Sequence, residues 1–76
     1  MMVNEELDLR GEVCPYTFVK SKLALEEMES DQLLRVIVDN AESAGNVPRS
    51  LTNEGHAVLE VTQIAASEWA IVVRKA

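Results

Sequence analysis

Cysteine occurs once in these 76 residues, and histidine once. A single cysteine closes no disulfide within the chain. One Cys with one His falls short of the four ligands of a structural zinc site, so neither metal nor cofactor is predicted. Basic residues are also scarce, 7 Lys and Arg against 13 Asp and Glu, for a net charge of −6. A nucleic-acid backbone or an anionic membrane repels such a chain, which argues against direct binding to either. No apolar run reaches membrane-spanning length, and Met1-Met2-Val3-Asn4 shows no targeting pattern. Repeats, linkers and low-complexity tracts are lacking too. The expectation is one domain over 1–76, in a reducing cytoplasm, with a monomer the default state.

What is present is a short alternation of helix and strand patterns. Residues 5–10 alternate weakly, with Leu7 and Leu9 on one side, and Gly11 breaks the pattern at a turn. Residues 15–29 read as a helix whose inner face carries Phe18, Ser21, Ala24, Leu25 and Met28. A thinner apolar line, Tyr16, Val19 and Leu23, is expected to pack on a neighbouring helix. Residues 33–38, Leu-Leu-Arg-Val-Ile-Val, suit a central strand. Residues 39–45 read as loop. Asn46 is the predicted cap of a second helix, with Pro48 near its first turn and Gly55 ending it. Residues 56–62 alternate, with Ala57, Leu59 and Val61 on one side and Val58, Glu60 and Thr62 on the other. A turn at 65–67 leads to a last strand over 69–73.

The order β-α-β-α-β-β predicts an α/β (α+β) two-layer sandwich. Right-handed crossovers make the first three strands parallel, and the hairpin makes the fourth antiparallel to the third. The two continuous apolar strands belong in the middle. That gives a mixed four-stranded sheet of order 1-2-4-3 with two helices on one face. One pole then gathers Cys14, Arg10, Gly11, Glu12, Asp39, Asn40, residues 45–48 and the 63–67 hairpin. His56 starts the third strand at the other pole, about 15 Å away, beyond the reach a Cys–His pair needs.

Chemistry concentrates in Leu7-Asp8-Leu9-Arg10-Gly11-Glu12-Val13-Cys14-Pro15. Pro15 suits a first helical position, which makes Cys14 the predicted N-cap. A sulfur there faces free backbone N–H groups and the positive end of the helix dipole, and both favour thiolate. Most lone cysteines are small buried apolar groups. The turn-to-helix position, with Glu12 and Tyr16 as neighbours, favours a reactive thiol here. Without a second cysteine it has no resolving partner, so it is better equipped to carry a group than to finish a reaction. Asp8 reads as a turn brace. Arg10 is either an exposed strand-end cation or a stabiliser of an anionic sulfur. Lys20 and Lys22 read as a solvated edge, Asp39 and Glu42 as loop carboxylates, and Trp69 as packing.

The spacing Leu7-Asp8-x-x-Gly11-x-x-Cys14-Pro15 resembles the TusA/SirA-like sulfur-carrier family, whose hallmark is L-D-x-x-G-x-x-C-P-x-P. The resemblance extends over nearly the whole chain, through Val47-Pro48 and Gly55-His56. It implies that Cys14 accepts sulfane sulfur, as a persulfide or a thiosulfate-derived group, and relays it. It also implies a donor protein (a cysteine desulfurase or rhodanese) and an acceptor protein, in tRNA thiolation, cofactor sulfur supply or sulfur oxidation. Such a carrier performs sulfurtransferase-type chemistry without being a stand-alone enzyme. The supporting residues are Pro15, Thr17, Asp8, Gly11 and Arg10. Thr17 stands where the family usually has a second proline, and adds a hydroxyl close to Cys14. Ser30-Asp31 replaces a common Pro-Gly turn. The run Cys-Pro-Tyr-Thr-Phe-Val-Lys points toward a sulfur-oxidation type. The alternative is a non-catalytic regulatory or interaction module docking through residues 16, 19 and 23 or an edge strand, with Cys14 dispensable. A free-standing thiol reductase is disfavoured by the missing second cysteine.

Overall fold

A computed structural model describes residues 2–76; Met1, part of the stretch read as free of targeting signals, lies outside them. The elements run β1 (Glu5–Asp8), α1 (Tyr16–Glu26), β2 (Leu33–Val38), α2 (Ala41–Asn53), β3 (Ala57–Ala65) and β4 (Glu68–Arg74). The sheet order is β1-β2-β4-β3. β1 runs parallel to β2, and β4 runs antiparallel to both β2 and β3. This is the mixed βαβαββ sandwich that strand hydrophobicity predicts: the two continuous apolar strands are central and the polar ones are edges.

Both helices cover one face of the sheet. Leu34, Val36 and Val38 of β2 and Ile71 and Val73 of β4 meet Leu25 of α1 and Val47 and Leu51 of α2, all essentially sealed from solvent. Alternation along the strands puts Ile37, Ala70 and Val72 on the other face, where they too are buried.

Four expectations change. α1 ends at Glu26 rather than residue 29, because Glu27 and Met28 turn their N–H groups back to the carbonyls of Ala24 and Leu25 in a tighter final turn. Met28 still packs on the core.

α2 starts at Ala41, not after Asn46, so residues 41–45 are helix rather than loop. Asn40 is the cap: its backbone is extended, and its side chain accepts from the Ser43 N–H at 2.8 Å. Pro48 therefore lies inside the helix, a placement that costs about 3 kcal/mol in an exposed helix. Full burial of Val47 and Leu51, each contributing about 1.5–3 kcal/mol, offsets it. Gly55 ends α2 at φ 96° as expected. Its N–H donates to Thr52 and that of His56 to Leu51, the paired bonds of a Schellman turn.

β3 does not keep strict alternation. Val58 pairs with Val73 and Glu60 with Val72, so an extra residue, Leu59, is inserted between them. Val58 and Val61 consequently share the helix-side face with their partners Val73 and Ile71, while Glu60 and Thr62 face away. A second irregularity between Gln63 and Ala65 further blunts this edge.

Finally, the line Tyr16, Val19 and Leu23 is not buried against a neighbouring helix. These side chains are 59, 42 and 56% exposed, and Val13 beside Cys14 is 61% exposed. α1 meets α2 through its buried Thr17, Ser21 and Leu25 face instead.

Candidate functional site

The loop from Leu9 to Pro15 is pinned at several points. Leu9 donates its N–H to the Ile37 carbonyl at 2.8 Å, extending the β1–β2 pairing past the end of β1. Gly11 adopts φ 89°, a conformation glycine takes without steric cost. Its N–H reaches the Asp39 carboxylate at 2.8 Å, and the Asn40 side-chain amide donates to the Glu12 carbonyl at 3.3 Å. The end of β2 and the cap of α2 thereby hold the loop that carries the cysteine. Asp39, read from sequence as a loop carboxylate, has this specific task.

Asp8 and Arg10 brace the same loop. The Arg10 guanidinium bonds both Asp8 carboxylate oxygens at 3.0 and 2.7 Å, and the Arg10 N–H adds a third bond at 3.1 Å. A longer contact, 3.8 Å, ties Arg10 to Glu68 at the foot of β4. The guanidinium is thus engaged by two carboxylates. Its side-chain hydrogen bonds, with the backbone bond next, hold the Asp8 carboxyl down to about 2 from an ordinary 3.8. A carboxyl lowered on folding stabilises the fold above its unfolded value, and that contribution fades as pH falls through the folded value. The brace should therefore be intact at neutral pH and weaken only between about 3.8 and about 2. A carbon-detected NMR titration of Asp8 checks this; a midpoint in the ordinary carboxylate range would mean that the pair does not hold in solution.

Cys14 is not the N-cap of α1. That position belongs to Pro15, which supplies no side-chain cap. Tyr16 and Thr17 return their N–H groups to the Val13 carbonyl, at 2.8 and 3.4 Å, so a turn precedes the helix and Cys14 sits in it, one residue early. The Cys14–Pro15 peptide bond is cis. The thiol is free and half-buried.

Its hydrogen-bond donors differ from the expected backbone groups. Among the described residues, Sγ is approached by the Asn46 side-chain amide at 2.8 Å and more distantly by the Thr17 hydroxyl at 3.9 Å. Thr17 is wholly buried, and its hydroxyl pairs with that of Ser43, also buried, at 2.9 Å. Ser21 donates to the Thr17 carbonyl at 2.7 Å. Beneath the sulfur lies a small, fully satisfied polar seam between the two helices.

Asn46 and Ser43 belong to α2 and were not singled out as site residues. In sequence Asn46 reads as a cap, with Pro48 close behind it, and that reading starts the helix too late. The usable signal is Asn40 itself, a residue type favoured at the N-cap because its side-chain oxygen accepts from a backbone N–H of the first turn. With α2 started there, Ser43, Asn46 and Ser50 lie at helical spacing toward one side.

His56 is far from this group in its contacts. Its Nδ1 accepts from the N–H of Ala76 at 3.1 Å, at the end of the chain. Burial, and then the nearby Lys75, lower its pKa. Glu12 pairs with Lys20 at 3.1 Å, and Lys22 with Glu54 at 3.3 Å. Trp69 packs against the core, as read from sequence.

Comparison with known proteins bears on what this arrangement does. The family model described as "Sulfurtransferase TusA" matches residues 5–75. A protein of Archaeoglobus fulgidus described as "Putative sulfur carrier protein" is 53% identical over 72 residues, 95% of this chain and 82% of its own length. One of Escherichia coli K12 with the same description, TsuB, is 36% identical over 75 residues, covering 99% of this chain and all of its own. The crystal structure of a SirA-like protein from Desulfitobacterium hafniense superposes with a TM-score of 0.81 at 25% identity, over 92% of this chain and 95% of that one.

Proposed function

Because the chain belongs to the TusA sulfurtransferase family, we propose that it is a sulfur carrier whose cargo rides on Cys14. The observation that carries this reading is the position of the only thiol. It is free and half-buried in a turn held by Gly11, Asp39 and Asn40, just ahead of α1. A carried group needs such a position: open enough for two proteins to reach, yet fixed in direction.

In the proposed reaction the Cys14 thiolate attacks the outer sulfur of a donor persulfide. A new S–S bond forms at Sγ, the donor's S–S bond breaks, and the donor sulfur leaves with the electron pair as a thiolate. Unloading is the reverse in kind. An acceptor thiolate attacks the outer sulfur, and Cys14 departs as thiolate. No external oxidant is consumed, because the transferred atom keeps its sulfane state. Persulfide is the species proposed, with a cysteine desulfurase or rhodanese as donor. A small acceptor protein then commits the sulfur to tRNA thiolation or to sulfur oxidation. The carrier is taken to work in the cytoplasm, where thiols stay reduced.

The supporting residues act through the loop. Asp8 and Arg10 brace it, Gly11 permits its bend, Pro15 ends it at the helix, and Thr17 closes the floor beneath the sulfur. Arg10 serves as a brace rather than as a partner for anionic sulfur, since Asp8 and Glu68 already engage it.

The exposed line of Val13, Tyr16, Val19 and Leu23 is the observation that favours the second reading, an interaction module in which the thiol is dispensable. Mass spectrometry separates the two. Incubated with a rhodanese preloaded with sulfane sulfur, the protein should gain the mass of one sulfur atom and lose it to dithiothreitol. No gain under these conditions would refute the carrier reading.

A further inference from the structure

We propose that Asn46 is a catalytic residue of this carrier, whose side-chain amide holds the negative charge that Cys14 Sγ bears before loading and regains on unloading. The proposal rests on the carrier reading and adds a residue and a task to it. The amide nitrogen lies 2.8 Å from Sγ, nearer than any other donor among the described residues. The Thr17 hydroxyl is 3.9 Å away and shares a hydrogen bond with Ser43.

The direction of the Asn46 amide is set from behind. Ser50, one turn further along α2, donates its hydroxyl to the Asn46 side-chain oxygen Oδ1 at 3.4 Å, which leaves the NH2 group facing the sulfur. Asn46 is itself half-buried on α2, whose Ser43, Val47 and Leu51 face is fully buried. The donor therefore stands on a rigid element, while the sulfur stands on a braced turn. A hydrogen bond to a charged acceptor in a partly desolvated place is among the stronger ones.

The chemistry gives that bond a specific moment to act. In the persulfide, Sγ is a bridging, uncharged atom and a poor acceptor. As an acceptor thiolate attacks the outer sulfur, the electron pair of the breaking S–S bond moves onto Sγ. The amide is already aimed at the atom where charge develops, so it assists departure without rearrangement. In the unloaded state the same amide already lies within hydrogen-bond distance of the sulfur.

Two variants of opposite character test this, Asn46→Ala, which deletes the donor, and Asn46→Asp, which keeps the shape and replaces the donor by an acceptor with a charge. Thermal melting establishes that each is folded. Alkylation of the unloaded thiol by iodoacetamide at neutral pH should slow about tenfold in Asn46→Ala and further in Asn46→Asp. At strongly alkaline pH, where every thiol is ionised, Asn46→Ala should come back to the wild-type rate, which a change in access would not do. Release of bound sulfur to dithiothreitol should slow in the same order. Neutral-pH rates within twofold of wild type in both variants, or a deficit in Asn46→Ala that persists at alkaline pH, would overturn the assignment. Alkylation needs no sulfur donor, so it reports on Asn46 even where loading fails, and wild-type loading tests the carrier reading separately.

Discussion

Cys14→Ser should abolish sulfur loading outright: after exposure to loaded rhodanese its mass should stay unchanged, while wild type should gain the mass of the added sulfur. The expected effect is total because the chain contains no other thiol. Serine keeps the shape and can still accept a hydrogen bond from Asn46. Its hydroxyl, however, stays protonated at neutral pH and forms no stable bond to sulfane sulfur. The fold should be untouched, since Cys14 lies half-buried in a turn, outside the hydrophobic core cluster. A melting curve that superposes on wild type, with loading absent, isolates the chemistry from the structure. Sulfur gained equally by the serine variant would place the cargo elsewhere and dismiss Cys14 as its carrier.

The second large effect is on stability. Leu51→Ala should cost about 2–5 kcal/mol, the range for removing a fully buried leucine and leaving a cavity. Leu51 has no exposed surface and belongs to the same core cluster as Leu25, Val47, Ile71 and Val73. A domain this small has a thin core, and total stabilities of single domains run about 5–15 kcal/mol. The variant should therefore melt far below wild type or populate unfolded chain at room temperature. Urea unfolding followed by circular dichroism measures the change; a loss under about 1 kcal/mol would show that the core collapses around the gap. The loss also reaches the site, because α2 carries Asn40, Ser43 and Asn46. Where the variant remains folded in part, sulfur loading should fall with the folded fraction.

The fold was legible because its signals are short-range. The β-branched run at 33–38 and the apolar run at 69–73 marked the central strands. The crossover and hairpin rules then left one economical order. The structure caps α2 at Asn40, whereas the late start expected from sequence rests on Asn46 alone, with Pro48 close behind it. The earlier cap prevails because only the longer helix places Ser43 as well as Val47 and Leu51 on the buried side. In β3 the apparent alternation of 56–62 hid a bulge, since a chain reads as alternating whether or not its partner strand keeps step. The line Tyr16, Val19 and Leu23 has helical spacing, but spacing does not say which face meets α2. The smaller Thr17 and Ser21 won that contact because they let the helices approach and their hydroxyls are satisfied there.

Chain order alone was enough to mark the sheet's middle and edges, the bend at Gly11, the stop at Gly55 and a lone thiol beside a proline, since each depends on residues within a few positions of one another. The identity of the sulfur's donor was out of reach of any such rule. Asn46 is 32 positions from Cys14, and Asp39 is 28 from Gly11. These pairs meet only because α2 lies against α1 and the end of β2 lies beside the loop. Hydrogen bonds act over about three ångströms of space and are indifferent to separation along the backbone, so packing of α2 against α1 was required to bring the Asn46 amide and the sulfur together.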